Sequence, residues 1–367
     1  MYLKRLSLIN FKNYDQADFT LDEGVNCFVG RNGIGKTNVL DAVHYLSMCK
    51  SYLNPVDKQN IRFGERFFVV QGQWDVDGVD VDIYCGVKAG EKKVFKRNKA
   101  TYEKLADHIG EFPSVIISPY DRDLISEGSE VRRKWVDGII SQFDRDYLNL
   151  LVKYSKVLDQ RNMLLKQFYE NGFFERESME VWDAQLSHLG TQIYAKRISF
   201  LNDFIPTFQY YYDFIGDKSE HVRLEYKSQL NECSFDELLE LNRRKDAITT
   251  YTNSGTHKDD FVFTINDHLV KKFGSQGQQK SFVIALRLAQ FDWLKNQLNK
   301  KPILLLDDIF DKLDNQRVAK LMKLVSDNVF GQVLVTDTDK DRVDTIFNAI
   351  NVAHQIIDMH QLVQIEE

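Results

Sequence analysis

The chain has 367 residues, of which 43% are hydrophobic and 28% charged, with only 5 prolines. That is an ordered composition with room for two domains or lobes, and it excludes a disordered chain. A formal net charge of −6 excludes a surface coated with nonspecific nucleic-acid affinity, so any DNA site has to be a local basic patch.

In chain order, Leu3, Leu6, Leu8 and Phe11, then Ala17, Phe19 and Leu21, alternate as strands do. Lys4, Arg5 and Lys12 interrupt this opening, so it lacks the apolar centre of a signal peptide. Cys27, Cys49, Cys85 and Cys233 are scattered without a CxxC pair, which speaks against zinc and redox motifs and for a reducing compartment. No run of about 18 apolar residues occurs, so the expectation is a cytoplasmic protein with no membrane span.

The apolar run 25–29 predicts a buried strand, followed by a helix with Val39, Leu40, Val43 and Leu46 on one face. Residues 61–100 predict antiparallel strands, with a turn at Val76-Asp77-Gly78-Val79. Ser114-Val115-Ile116-Ile117 predicts another buried strand, closed by Pro119. From about 129 to 214 the period is helical, with a break at Asn171-Gly172, which predicts an antiparallel helical pair. Residues 222–265 mix strands and a helix. An α/β pattern then returns: helix 278–297, strand 303–306, helix 315–328 and strand 332–336.

Three segments carry chemistry. Gly30-Arg31-Asn32-Gly33-Ile34-Gly35-Lys36-Thr37 matches GxxxxGK[ST] between a predicted strand and a predicted helix. Backbone N–H groups of such a loop converge on phosphate oxygens, and the helix N-terminus adds partial positive charge. Lys36 would reach the β- and γ-phosphates of ATP, and the Thr37 hydroxyl would ligate Mg2+. Second, the apolar strand 303–306 ends in Asp307-Asp308. Asp307 would hold the metal, and Asp308 would orient or deprotonate the attacking water. Roughly 270 residues separate these motifs, far more than one or two crossover units need, so the two ends of the chain would build one nucleotide site. Third, Gly274-Ser275-Gln276-Gly277-Gln278 precedes a long helix. A hydroxyl, glycine N–H groups and a helix N-terminus form a second anion cradle, although Ser and Gly are also ordinary cap residues.

That third segment resembles the LSGGQ signature of ABC ATPases, and Asp311-Lys312-Leu313-Asp314 sits where those proteins have their D-loop. As a whole the chain resembles the RecF family of SMC-like ABC ATPases. The likeness runs through LSLINFKNY, GRNGIGKTNVLDAVHYLS, ISPYDRDLISEGSEVRRKWVD, GTHKDDF, GSQGQQKS and LLLDDIFDKLD, covering nearly the full length. It implies an ABC-type ATPase head of α/β class, formed by residues 1–118 and 246–367, with an inserted mainly helical lobe at 119–245. It also implies a slow, Mg2+-dependent ATPase that dimerises on ATP, with Ser275, Gly277 and Gln278 facing the partner's γ-phosphate. The dimer would bind gapped or duplex DNA in recombinational repair and would work with RecO and RecR to load RecA. Two departures point to slow turnover: Asp308 stands where ABC ATPases have a catalytic Glu, and Thr336-Asp337-Thr338 lacks the switch histidine. No clear Q-loop glutamine is present, and Ser118 to Asp121 is the positional candidate.

Two basic clusters suit DNA phosphates: Lys93, Lys96 and Arg97 in a hairpin, and Arg132 and Arg133 at the start of the helical lobe. Lysines on a hairpin also guard a sheet edge, and the arginines equally suit ion pairs with nearby acids. The other readings are the nucleotide-binding subunit of a transporter, for which the helical insertion is too large, and an ATP-gated DNA clamp without turnover.

Overall fold

In the computed structural model, all residues are described except 217, 218, 313, 314, 328 and 363–367. The chain divides into two compact units: residues 1–121, 211–217 and 280–367, and residues 122–210 and 218–279.

The first unit holds two sheets. Strands β1 (Tyr2–Phe11), β2 (Tyr14–Thr20), β4 (Phe67–Val76), β5 (Val79–Lys88), β6 (Val94–Arg97) and β7 (Ala100–Thr101) form an antiparallel sheet in the order β2-β1-β4-β5-β6-β7. Alternation decides its faces: Leu6, Leu8, Phe68, Val70, Ile83, Cys85 and Phe95 are buried, while their neighbours point outward. The second sheet is wholly parallel. It contains β3 (Val25–Val29), β8 (Ser114–Ile117), β12 (Ile303–Leu306), β13 (Val333–Asp337) and β14 (His354–Asp358), in the order β14-β3-β13-β12-β8. Strands covered on both faces read as continuous apolar runs, and every residue of β3, β8, β12 and β13 is buried. Burying each Leu of β12 contributes about 2 kcal/mol, enough to hold the strand although two acids follow it. Gln332, expected to begin β13, lies before it. Its amide accepts from Leu3 N (2.8 Å) and donates to Leu3 O (2.9 Å) and Asp22 O (2.8 Å), so it stitches the two sheets together.

The second unit contains the helices Ser129–Phe143, Arg145–Asn171 and Phe235–Thr249 and most of Arg176–Ile215. It also contains a small antiparallel sheet of β9 (Val222–Lys227), β10 (Asp260–Ile265) and β11 (His268–Leu269). The expected break at Asn171-Gly172 is a helix C-terminus: Gly172 has φ 67° and its N–H bonds back to Phe168 and Tyr169.

The lobe boundary differs from the expected 245/246. Residues 246–279 stay with the helical unit, and 211–217 go to the head. The reason is long-range bonding. Arg161, fully buried, donates to Asp183 (2.7 Å), Asp246 (2.8 Å) and Thr252 (2.8 Å), and β10 pairs with β9 through residues 260–265. Removing one partner of such a buried ion pair costs about 3–5 kcal/mol, so this stretch cannot leave the lobe cheaply.

His108 is buried and His44 and His257 are half-buried, and desolvation pushes each imidazole down to about 4 from the usual 6.5. The unfolded chain therefore binds more protons than the native one between these values. Stability is full above about pH 6.5 and is lost as the pH falls towards 4. Thermal melts should be flat from about pH 7 to 8 and fall steeply below about 6. An unchanged melting temperature at about pH 4.5 would contradict the neutral-histidine account.

Candidate functional site

Parallel strands all end on the same side, and open α/β sheets present ligand sites there. β3 leads into Gly30–Thr37 and β12 ends at Asp307. β13 lies between them in the sheet and carries Thr336, and Ser118 follows β8. The strand order thus gathers four side chains from positions 37, 118, 307 and 336.

The glycine loop is held from two sides. Gly30 N donates to Asp337 O at the end of β13 (3.2 Å). The β1–β2 turn clamps the other end: Asn13 Nδ2 donates to Ile34 O (3.1 Å) and the Tyr14 hydroxyl to Gly35 O (3.0 Å). Gly35 has φ 111°, and a Cβ there would lie 2.5 Å from Asn13 Nδ2 and 2.7 Å from the Tyr14 hydroxyl, so only glycine fits. Arg31, Asn32 and Gly33 are exposed. Gly35 begins the helix Lys36–Met48, and no side chain caps its first N–H groups. An uncapped helix N-terminus under a glycine loop is a fitting cradle for phosphate. Lys36 is buried, and its ammonium donates to Gly30 O (2.7 Å) and Arg31 O (3.1 Å). It is therefore held against the loop that would receive a triphosphate.

Asp307 is the centre of the site. Its Oδ1 accepts from the Thr37 hydroxyl (2.8 Å) and the Thr336 hydroxyl (2.9 Å), and its Oδ2 accepts from Ser118 Oγ (3.4 Å). Burial raises its pKa, and the Thr37 and Thr336 hydrogen bonds oppose that rise. Adjacent hydroxyl and carboxylate oxygens fit Mg2+, which takes one or two protein ligands and completes its shell with water and phosphate oxygens. No cluster of three or more His, Cys, Asp or Glu that could hold a metal occurs among the described residues.

Thr336 also accepts from Asp308 N (3.0 Å). Asp308 has φ 45°, a left-handed conformation costing a non-glycine residue about 1 kcal/mol. One hydrogen bond of about that size offsets it. A single hydroxyl on β13 thus fixes the Asp307 carboxylate and the backbone of Asp308. The motif reading missed this role, because a buried Thr at a strand end has no signature. The neighbouring Asp337 accepts from Arg342 Nη2 (2.5 Å) and Asp339 N (2.7 Å).

Among the Q-loop candidates, Ser118 reaches Asp307. Asp121 accepts from Ser118 N (2.9 Å) and pairs with Arg287 (2.5 Å). Ser275 belongs to the other unit and forms a cap: its N–H donates to Gln278 Oε1 (2.7 Å), and its Oγ accepts from Gln278 N (3.2 Å). Gln278 also donates to Glu220 (2.7 Å). Ser275 is exposed and Gly277 half-buried. Of the expected D-loop, Leu313 and Asp314 lie outside the described residues.

Four of the five basic side chains expected at DNA are engaged internally. Arg132 forms a two-point pair with Asp260 (2.8 and 3.1 Å) and donates to Leu124 O and Glu127 O. Arg133 donates to Ser129 Oγ (2.7 Å) and Asp259 O (2.5 Å). Lys93 bonds Cys49 O (2.6 Å), the Tyr45 hydroxyl (3.0 Å) and Asp57 (2.9 Å). Arg97 pairs with Glu111 (3.2 Å). Lys96 sits 5.3 Å over the Tyr84 ring.

Residues 2–66 match the family model described as the RecF/RecN/SMC N terminal domain. The DNA replication and repair protein RecF of Flavobacterium johnsoniae is 50% identical over 359 residues, covering 98% of this chain and 100% of that protein. The RecF of Phocaeicola vulgatus is 47% identical over 358 residues, covering 97% and 96%. The chain belongs to the RecF family. A solved structure of the recombination mediator protein RecF-ATP in the RecFOR pathway matches with a TM-score of 0.86 at 29% identity, over 92% of each chain. An Smc head domain derived from Pyrococcus furiosus matches with a TM-score of 0.55 at 16% identity, over 98% of this chain and 94% of that one. The first unit is thus an ABC-type ATPase head, as in RecF and Smc heads, and the second is its inserted, mainly helical lobe. The GTHKDDF and EVRRKWVD segments meet within that lobe through the Arg132–Asp260 pair and the bond from Arg133 to Asp259 O.

Thr336→Val should leave the fold and ATP binding intact and lower turnover by about 10- to 100-fold, the usual effect of losing a group that orients a metal ligand. Thr336→Ser should restore most of it. Wild-type turnover in the Val variant, measured by steady-state ATP hydrolysis, would remove Thr336 from the site. Arg132→Gln should cost about 2 kcal/mol in denaturant unfolding without changing the salt dependence of DNA binding. A flatter salt slope with unchanged stability would return Arg132 to the DNA interface.

Proposed function

We propose that the protein is an Mg2+-dependent ATPase of recombinational DNA repair that dimerises on ATP, binds gapped or duplex DNA and acts with RecO and RecR in loading RecA. The observation that carries this reading is the junction of the glycine loop with Asp307 through the Thr37 hydroxyl (2.8 Å), in a chain 50% identical to a RecF over its full length. In this reading the N–H groups of Gly30–Lys36 cradle the phosphates, and Lys36 leaves its loop carbonyls for phosphate oxygens. Thr37 and Asp307 hold Mg2+, which when bound neutralises charge on the β- and γ-phosphates.

Asp308 is the general base or water-orienting group. Its side chain is one methylene shorter than Glu, and no switch histidine follows β13. Both features favour slow turnover, suited to a timed clamp. Ser275, Gly277 and Gln278 of one protomer meet the nucleotide of the other, so ATP closes the dimer. By linkage, DNA that prefers the closed dimer raises ATP affinity by the same factor. The structurally similar RecF belongs to the RecFOR pathway, and the partner assignment rests on that kinship.

Lys36→Met should fold normally and lose ATP binding. Ser275→Arg should keep ATP binding in the monomer and lose ATP-driven dimerisation, read by sedimentation. Dimerisation of Ser275→Arg at wild-type ATP levels would overturn the trans arrangement. Duplex affinity should be higher with a non-hydrolysable ATP analogue than without, falling with salt by a log–log slope of roughly −0.9 for each phosphate contact. Equal affinity with and without the analogue would remove the coupling.

A further inference from the structure

An antiparallel sheet with one face on the core normally presents polar side chains on the other. The outer face of β2-β1-β4-β5-β6-β7 departs from this at one end. Register places Ile9 opposite Val69, Val69 opposite Gly86, and Gly86 opposite Val94, so one row crosses four strands with no polar side chain. Ile9 and Val94 are 39% and 38% exposed, and Phe67, on the same face, is 41% exposed. Gly86 is covered by a ring: a Cβ there would lie 2.8 Å from the Tyr84 hydroxyl and 3.1 Å from its ring carbon. The Tyr84 ring therefore lies across the row, with Lys96 above it.

Phe63 stands beside this face, fully exposed at 101%. It occupies the tip of a tight turn in which Glu65 N donates to Arg62 O (3.0 Å) and Gly64 has φ 87°. The turn is tied to the end of β1 by Arg62 N to Asn10 O (2.9 Å) and Lys12 N to Asn60 O (2.9 Å). A large ring in water on a pinned turn is unfavourable unless it is covered part of the time.

The charges at this end are mostly positive. Arg62 faces Asp15 at 3.5 Å and Lys88 pairs with Glu91 at 2.5 Å. Arg66, Lys92 and Lys96 make no ion pair among the described residues. The acids Asp75, Asp80 and Asp82 lie towards the opposite end of β4 and β5, where Lys4 pairs with Asp75 and Asp80.

We propose that this face is the docking site for an acidic amphipathic helix of a partner protein. Four strands span roughly 14 Å, the length of two to three helical turns. Apolar residues of such a helix would lie along Ile9, Val69, Tyr84 and Val94, with its end against Phe63. Its carboxylates would meet Arg66, Lys92 and Lys96. Along the row itself bases are the poorer fit, because Ile9, Val69 and Val94 offer no stacking surface and Lys96 covers the Tyr84 ring. Phe63 and Phe67 are exposed rings, and an oligothymidylate probe tests whether they stack bases.

The test uses the full chain and a fluorescent amphipathic peptide of about 14 residues, with Leu at i, i+3 and i+7 and Glu elsewhere. A second peptide carries Lys in place of Glu, and a labelled oligothymidylate is the third probe. Fluorescence anisotropy should show the acidic peptide binding at least about tenfold more tightly than the basic one. Phe63→Ser combined with Val94→Thr should weaken it by about tenfold or more, as should Arg66→Glu alone. ATP turnover and ATP-driven dimerisation should be unchanged in all these variants, which separates failure here from failure of the ATPase reading. Equal peptide binding in wild type and variants overturns the proposal. So does oligothymidylate binding that is lost in the Phe63→Ser, Val94→Thr protein, which would make the face a nucleic-acid platform. Nucleotide-independent self-association lost in the same variants would make it an interface between copies, and would equally overturn it.

Discussion

A carboxylate taken out of water must be given donors, or it takes up a proton instead. Asp307 is in that position, and the head is arranged around meeting its demand. Its hydroxyl donors come from the first turn of the helix after the glycine loop, from β13 and from the segment after β8. They converge only because β13 lies between β3 and β12 and β8 lies on the far side of β12. The order of the parallel sheet and the solvation of one acid are therefore the same constraint. The apolar runs of β3, β12 and β13, buried along their whole length, hold that order.

The same chemistry, with the sign reversed, organises the second unit. Arg161 and Arg197 are buried cations, and each is surrounded by acids distant in sequence. Arg161 meets Asp183 and Asp246, and Arg197 meets Asp137 (3.0 Å) and Asp259 (3.2 Å). Arg132 adds its pair with Asp260. Planar guanidinium groups suit such sites because their fork satisfies several acceptors at once. These pairs bind residues 246–260 to helices some 60 to 130 positions earlier, which is why the lobe extends past its helical part. They also explain why two of the segments that carry the RecF likeness are rich in Arg and Asp. Those residues are the lobe's internal cement and not a free basic patch.

Basic residues are weak guides to an interface for a related reason. A lysine or arginine in a sequence looks equally available to DNA, to a carboxylate and to a carbonyl. Lys93 is the clearest case. In a run with Lys92, Lys96, Arg97 and Lys99 it suits phosphate, yet its ammonium is tied to Cys49 O and Asp57. The outer face of the antiparallel sheet shows the complement. Its row from Ile9 to Val94 is drawn from four strands, so no stretch of sequence displays it as a patch.

The glycine loop was legible in the sequence because all its parts lie within eight consecutive residues, and the chemistry of Gly35, Lys36 and Thr37 follows from local backbone geometry. The buried strands were legible too, since a sheet covered on both faces requires continuous apolar runs. The Asp307 strand and the RecF-like segments belong to the same class of local, pattern-borne information. Thr336, Ser118, the partners of Arg132 and Lys93, and the placing of residues 246–279 were decided by tertiary structure alone. Each depends on a hydrogen bond or ion pair between residues roughly 30 to 190 positions apart. A side chain's role there is set by which strand or helix lies beside it, and sequence pattern carries no record of that neighbour.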